Sequence, residues 1–90
     1  MMEFKRKDNM IYLDIDGQDL AYIKFAYHDD YIEAYSTFVD TSLRGQGVAE
    51  KLVDALVAVA KEENKRINPT CSYVVNLFEK KPEKYSDIQH

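Results

Sequence analysis

The sequence predicts a mixed α/β domain, and three observations carry that expectation. The first half alternates apolar and polar residues in short runs broken by Asp, Asn and Gly, the pattern of antiparallel strands. A single amphipathic run follows, in which Ala49, Leu52, Val53, Leu56, Val57 and Ala60 recur at the spacing of one helical face. Between them stands Leu43-Arg44-Gly45-Gln46-Gly47-Val48-Ala49, a basic residue and two glycines immediately ahead of the helix.

Phe4 to Lys7 and Met10 to Ile15 are short strands divided by Asp8-Asn9, and Asp14-Ile15-Asp16-Gly17 supplies the next turn. Leu20 to Tyr27 alternates so that Ile23 and Phe25 face the core, and His28-Asp29-Asp30 closes a hairpin. Tyr31 to Val39 is the strongest strand by composition and runs straight into the glycine loop. After the helix, Glu62-Glu63-Asn64-Lys65 is a polar break. Arg66 to Thr70 is then a strand reached by a helical crossover, which makes it parallel to its neighbour. Ser72 to Lys80 is a second, shorter helix with Tyr73, Val74, Leu77 and Phe78 on one side, Ser72 as its cap and Pro82 as its end.

The chain has 90 residues and is 46% apolar, which suits one small core, so residues 1–90 are expected to form one domain. A net charge of −4 and a pI near 5.1 argue against a general nucleic-acid binder, whose affinity rests on clustered Lys and Arg. With one cysteine, Cys71, neither an intramolecular disulfide nor a Cys-rich zinc site can form, and a reducing compartment is expected. Met1-Met2-Glu3-Phe4-Lys5-Arg6 lacks the apolar core of a signal peptide, and no run approaches the ~20 apolar residues of a membrane span, so the expected location is cytoplasmic.

Gly45 and Gly47, without a Cβ, allow positive φ and a close approach of backbone to ligand. The free N–H groups of the first helical turn and the helix dipole then favour a bound anion. The loop therefore has the form of a phosphate cradle.

The order of elements and the run Arg44-Gly45-Gln46-Gly47-Val48-Ala49 resemble the GNAT superfamily of acetyl-CoA-dependent N-acetyltransferases, whose pattern is Arg or Gln, two residues, Gly, one residue, then Gly or Ala. Thr37-Phe38-Val39, Pro69-Thr70-Cys71-Ser72-Tyr73 and Pro82-Glu83-Lys84-Tyr85-Ser86-Asp87 narrow the resemblance to a minimal YjdJ-like branch of about 90 residues. The resemblance implies that Arg44 to Ala49 hold the CoA pyrophosphate. It also implies that Thr37, Phe38 and Val39 pair their backbone with the pantetheine amides, and that the two parallel strands splay near Val39 and Thr70 to admit the thioester. No metal is implied.

Cys71 lies between a strand end and a helix start, where orphan N–H groups stabilise a thiolate. The matching cysteine of the branch is close to the acyl group, as nucleophile or as proton donor to departing CoA; the alternative is a buried, inert thiol. The residue before Thr37 is often histidine in this branch and here is Ser36, which leaves the general base unassigned among Glu33, His28 and a relayed water. His28, beside Asp29 and Asp30, otherwise reads as a solvated loop residue, and Glu33 as a solvent-facing strand position. Asn76 is a candidate contact for a pantetheine or substrate amide, and Lys80 and Lys81 for the ribose phosphate, against ordinary helix-surface roles. Tyr22, Tyr27, Tyr31 and Tyr35 are sheet residues.

Two functions are expected in competition. The first is transfer of an acetyl group from acetyl-CoA to a primary amine, whether polyamine, amino acid, protein N-terminus or lysine. The second is a CoA-binding sensor or accessory module without useful turnover. Small-molecule or peptide amines are the expected partners, with no nucleic acid and no membrane; the oligomeric state is open.

Overall fold

The computed structural model describes residues 3–90; Met1 and Met2, the first residues of the segment weighed above as a leader, lie outside it. Five strands form one mixed sheet in sequence order: β1 (Glu3–Lys7), β2 (Met10–Ile15), β3 (Gln18–Tyr27), β4 (Tyr31–Val39) and β5 (Arg66–Pro69). β1 to β4 are antiparallel and β5 is parallel to β4. The turns are chemically specified. Asp16 and Gly17 take φ of 52° and 82°, the left-handed pair that a two-residue hairpin needs.

Helix α1 (Val48–Glu62) is the crossover between β4 and β5. Its Val48, Leu52, Val53, Leu56 and Ala60 are buried against Ile11, Leu13, Ala21, Ile23, Phe25, Ile32 and Ile67 of the sheet. It ends where Asn64 adopts φ 57° and Lys65 N–H reaches back to the Ala60 carbonyl at 2.9 Å, so the polar break acts through a left-handed asparagine cap.

Helix α2 (Ser72–Lys80) and the four-residue helix α3 (Pro82–Tyr85) pack on the same face as α1, contributing Val74, Leu77, Phe78, Tyr85 and Ile88 to one core. Lys81 and Lys84 reach Glu50 at 3.0 and 2.7 Å, and the Tyr85 hydroxyl donates to Asp54 at 2.6 Å, tying this segment to α1. Among the described residues, no helix covers the opposite face of the sheet.

Three local expectations change. Pro82 stops α2 but also starts α3, because its fixed φ and missing N–H suit a first helical position. Ser72 is not the cap of α2: Cys71 occupies that position in extended conformation, and no side chain caps the helix. Tyr73 is 37% exposed and leaves the buried stripe, since Val74, Leu77 and Phe78 at i, i+3 and i+4 already fill it.

Candidate active site

β4 is the strand on which the site depends. On its β3 side the register jumps from Phe25↔Ala34 to Lys24↔Ser36, leaving Tyr35 as an extra, bulged residue. A one-residue insertion reverses which face every later side chain takes. Ile32 and Ala34 point into the core before the bulge; after it, Thr37 and Val39 do, opposite the fully buried Ile23 and Ala21. Ser36 and Phe38 are turned to the helix-free face, where Phe38 stacks on Tyr22 at 5.4 Å.

On its β5 side, β4 is paired only as far as Ala34↔Pro69. The Ala34 carbonyl then accepts from both Thr70 N–H at 2.9 Å and Cys71 N–H at 3.0 Å, and the chain turns away into α2. Tyr35 to Val39 thus leave an open backbone edge, the splay that the resemblance implies near Val39 and Thr70, with the parting beginning just after Ala34 and Pro69.

A cavity of about 470 Å³ opens beside that edge, lined by Thr37, Val39, Leu43, Arg44, Gly45, Gly47, Val48, Ala49, Glu50 and Tyr73. This size is typical of small-ligand sites, which run ~300–1,000 Å³. Its floor is the start of α1, where Gly47 is the N-cap with φ 71° and no side-chain capping bond, and Gly45 has φ 84°. A Cβ at either glycine would meet no atom within 4 Å, so glycine is needed here for backbone conformation and not to avoid crowding inside the chain. The first-turn N–H groups therefore face the cavity without a competing cap.

Leu43, Glu50 and Tyr73 also line the cavity, although the sequence alone reads Leu43 only as the head of the glycine run and Tyr73 as part of the apolar side of α2, and gives Glu50 no role. Glu50 would oppose an anion, but Lys84 first and Lys81 second hold its carboxyl below the usual range and neutralise it. The available signal was position: Glu50 and Tyr73 sit in the first turns of the two helices that frame the site. Of the predicted site residues, Thr37, Val39, Arg44, Gly45, Gly47, Val48 and Ala49 come together here. Cys71, Gln46 and Asn76 do not line the cavity, and the Phe38 side chain lies on the other face, leaving only its backbone at the open edge. Lys81 is engaged with Glu50.

Cys71 Sγ lies 3.5 Å from the Thr37 hydroxyl, which joins the thiol to the cavity wall. Burial is the largest influence and pushes the thiol up, but the Thr37 hydroxyl with the backbone N–H groups of Val74, Tyr73 and Thr37 together outweigh it. The net result lies below the ordinary thiol range. One residue back, the Thr70 hydroxyl donates to Glu33 at 2.7 Å, and His28 Nε2 lies 3.0 Å from the other Glu33 oxygen. Thr70 first, then His28, hold the Glu33 carboxyl below its usual range. His28 is not a freely solvated loop residue: its ring stacks on Tyr31 at 4.6 Å. Two separate sets of polar contacts thus meet at neighbouring residues: Thr37 with Cys71 at the cavity wall, and Thr70 with Glu33 and then His28 on the helix-free face.

Among the described residues, no helix is long and apolar enough to cross a membrane, and no cluster of His, Cys, Asp and Glu could hold a metal ion. No curated protein sequence matches the chain. The solution structure of a GCN5-like candidate N-acetyltransferase from Staphylococcus aureus superposes with a TM-score of 0.80 at 34% identity, covering 98% of this chain and 87% of that one. The sequence profile of the GCN5-related N-acetyltransferases matches residues 9–88. With a glycine loop at the start of α1, an open β4 edge and a cysteine heading α2, the chain belongs to the GCN5-related N-acetyltransferase family.

Proposed function

We propose that the protein transfers an acetyl group from acetyl-CoA to a primary amine in the cell interior. The observation that carries this reading is the convergence of the uncapped Gly47 helix start and the unpaired Tyr35–Val39 edge on one cavity, with Cys71 behind its wall, 3.5 Å from the Thr37 hydroxyl. The N–H groups at the start of α1, with Arg44, suit the CoA pyrophosphate. The backbone of Thr37 to Val39 offers the pantetheine amides a strand edge to pair with, as β-augmentation requires. The thioester then lies at the end of that edge, beside Cys71.

The chemistry needs two proton movements. The ammonium must lose one proton before its nitrogen can attack the thioester carbon. Glu33, ionised and fixed by Thr70, holds the ammonium and takes that proton, which passes to His28 Nε2, 3.0 Å from the second carboxylate oxygen, and from there to solvent. As the C–N bond forms and the C–S bond breaks, Cys71 gives its proton to the leaving thiolate and recovers one from the nitrogen. A thiol more acidic than an ordinary one makes that transfer downhill. Placement of the two reactants and backbone donors at the developing oxyanion supply the remaining acceleration.

The test has two parts. CoA at a hundredfold excess over Kd should stabilise the fold by about 2.7 kcal/mol, on the order of a 10 °C rise in melting temperature. Acetyl-CoA with a mixed set of amines should then release free thiol. A rise in melting temperature without thiol release would leave a CoA-binding module; no rise at millimolar CoA would remove the reading altogether.

A further inference from the structure

The helix-free face of the sheet carries charges that the transfer chemistry alone does not explain. On it Lys24 is opposite Ser36, Tyr22 opposite Phe38, and Ala26 opposite Glu33, which puts a cation and an anion in adjacent rows. Along β3 those rows lie about 7 Å apart, with the Tyr35 bulge between them on β4, within reach of two long side chains. They do not pair. Lys24 Nζ is turned the other way, 5.0 Å over the Tyr22 ring, and makes no ion pair among the described residues. Glu33 is turned to Thr70 and His28. The space between them holds Ala26 and Ser36, two of the smallest side chains on this face, and is flanked on β4 by the bulged Tyr35, 47% exposed.

That gap adjoins the place where β4 and β5 part, and its far side is the exposed aromatic wall of Tyr22 and Phe38, the latter 44% exposed. We infer that this face is the acceptor site and that it selects a zwitterionic amine, a free α-amino acid with an apolar side chain. Its ammonium meets Glu33, its carboxylate Lys24, and its side chain the Tyr22–Phe38 wall. A simple cationic amine would satisfy Glu33 but leave Lys24 unused, whereas a second copy of this chain, with its net charge of −4, brings no apolar zwitterion to the gap. Lys7, 5.0 Å over the Tyr12 ring on the next strand but one, adds positive potential on the same side and favours an acceptor with a negative group.

This inference rests on the transferase reading above, and paired acceptors separate the two. Phenylalanine and phenethylamine differ only by the carboxylate. Wild type should prefer phenylalanine in kcat/KM, and Lys24→Gln should reduce that preference about tenfold, the effect of losing one charge-assisted hydrogen bond, while Lys24→Arg retains it. Transfer to both amines without preference, or a preference untouched by Lys24→Gln, overturns the inference and leaves the transferase reading standing. Amide NMR shifts on titration with phenylalanine supply a readout independent of turnover. Shifts confined to Tyr22, Lys24, Ser36 and Phe38 support the site even if no acetyl transfer occurs, and an unchanged sheet face overturns it.

Discussion

Two helices begin at the cavity, and neither is capped by a side chain. α1 starts from Gly47 in the left-handed region, presenting backbone alone; α2 starts from Cys71 in extended conformation at φ −76°, presenting a titratable side chain. The same orphan N–H groups that offer an anion site at the first helix stabilise a thiolate at the second. On the function proposed above, one physical device serves binding in one place and proton transfer in the other, depending on whether the capping residue brings a reactive atom of its own.

The largest separation of the two should come from Gly47→Val. A β-branched residue at φ 71° is strained by roughly 1–3 kcal/mol and its methyls would stand where a phosphate must approach, so CoA affinity should fall at least a hundredfold while the sheet stays folded. Calorimetry gives the affinity and circular dichroism the fold. Arg44→Ala, which removes an exposed charge and no backbone donor, should cost only a few-fold. Equal losses for the two variants would mean that charge, not backbone geometry, binds the cofactor.

Cys71→Ala probes the other helix start. CoA affinity should remain within a few-fold, since the glycine loop is intact, while acetyl transfer drops roughly 10²-fold. Full turnover in this variant would make the cysteine a packing residue. Mass spectrometry after brief exposure to acetyl-CoA without amine distinguishes the routes, because an acetyl adduct on Cys71 would replace proton donation by a covalent step.

Thr37→Val is the smallest and most specific change. The Thr37 hydroxyl, 3.5 Å from Sγ, favours the thiolate, so its removal raises the thiol pKa. The pH profile of iodoacetamide alkylation should move to higher pH, with slower modification near neutrality and little effect on CoA affinity. A profile that stays in place would assign the thiol's acidity to the helix N–H groups alone.

Much of this was written in local sequence. Asp8-Asn9 and Asp16-Gly17 specify hairpins because their residues tolerate left-handed backbone, and the spacing from Leu52 to Ala60 specifies α1. The glycine loop was legible for the same reason: its conformation follows from the residues that adopt it. The short helix α3 and the cavity positions of Glu50 and Tyr73 were not, since they depend on how the chain after α2 is held to α1 through Lys81, Lys84 and Tyr85.

The sequence by itself determined the strands, the crossover helix, the glycine cradle and the cysteine at a helix start, all of which rest on interactions within a few residues. What only the tertiary structure decided is which way β4 faces. Alternation from Ile32 and Ala34 would turn Thr37 outward, and nothing in Tyr31 to Val39 marks a break. The bulge at Tyr35 appears only when β4 is laid against β3, where seating the buried Ala34 opposite Phe25 and the half-buried Thr37 opposite Ile23 requires one extra residue. That single insertion puts Thr37 beside Cys71 and sends Ser36 and Phe38 to the other face, because a period of two allows no smaller correction.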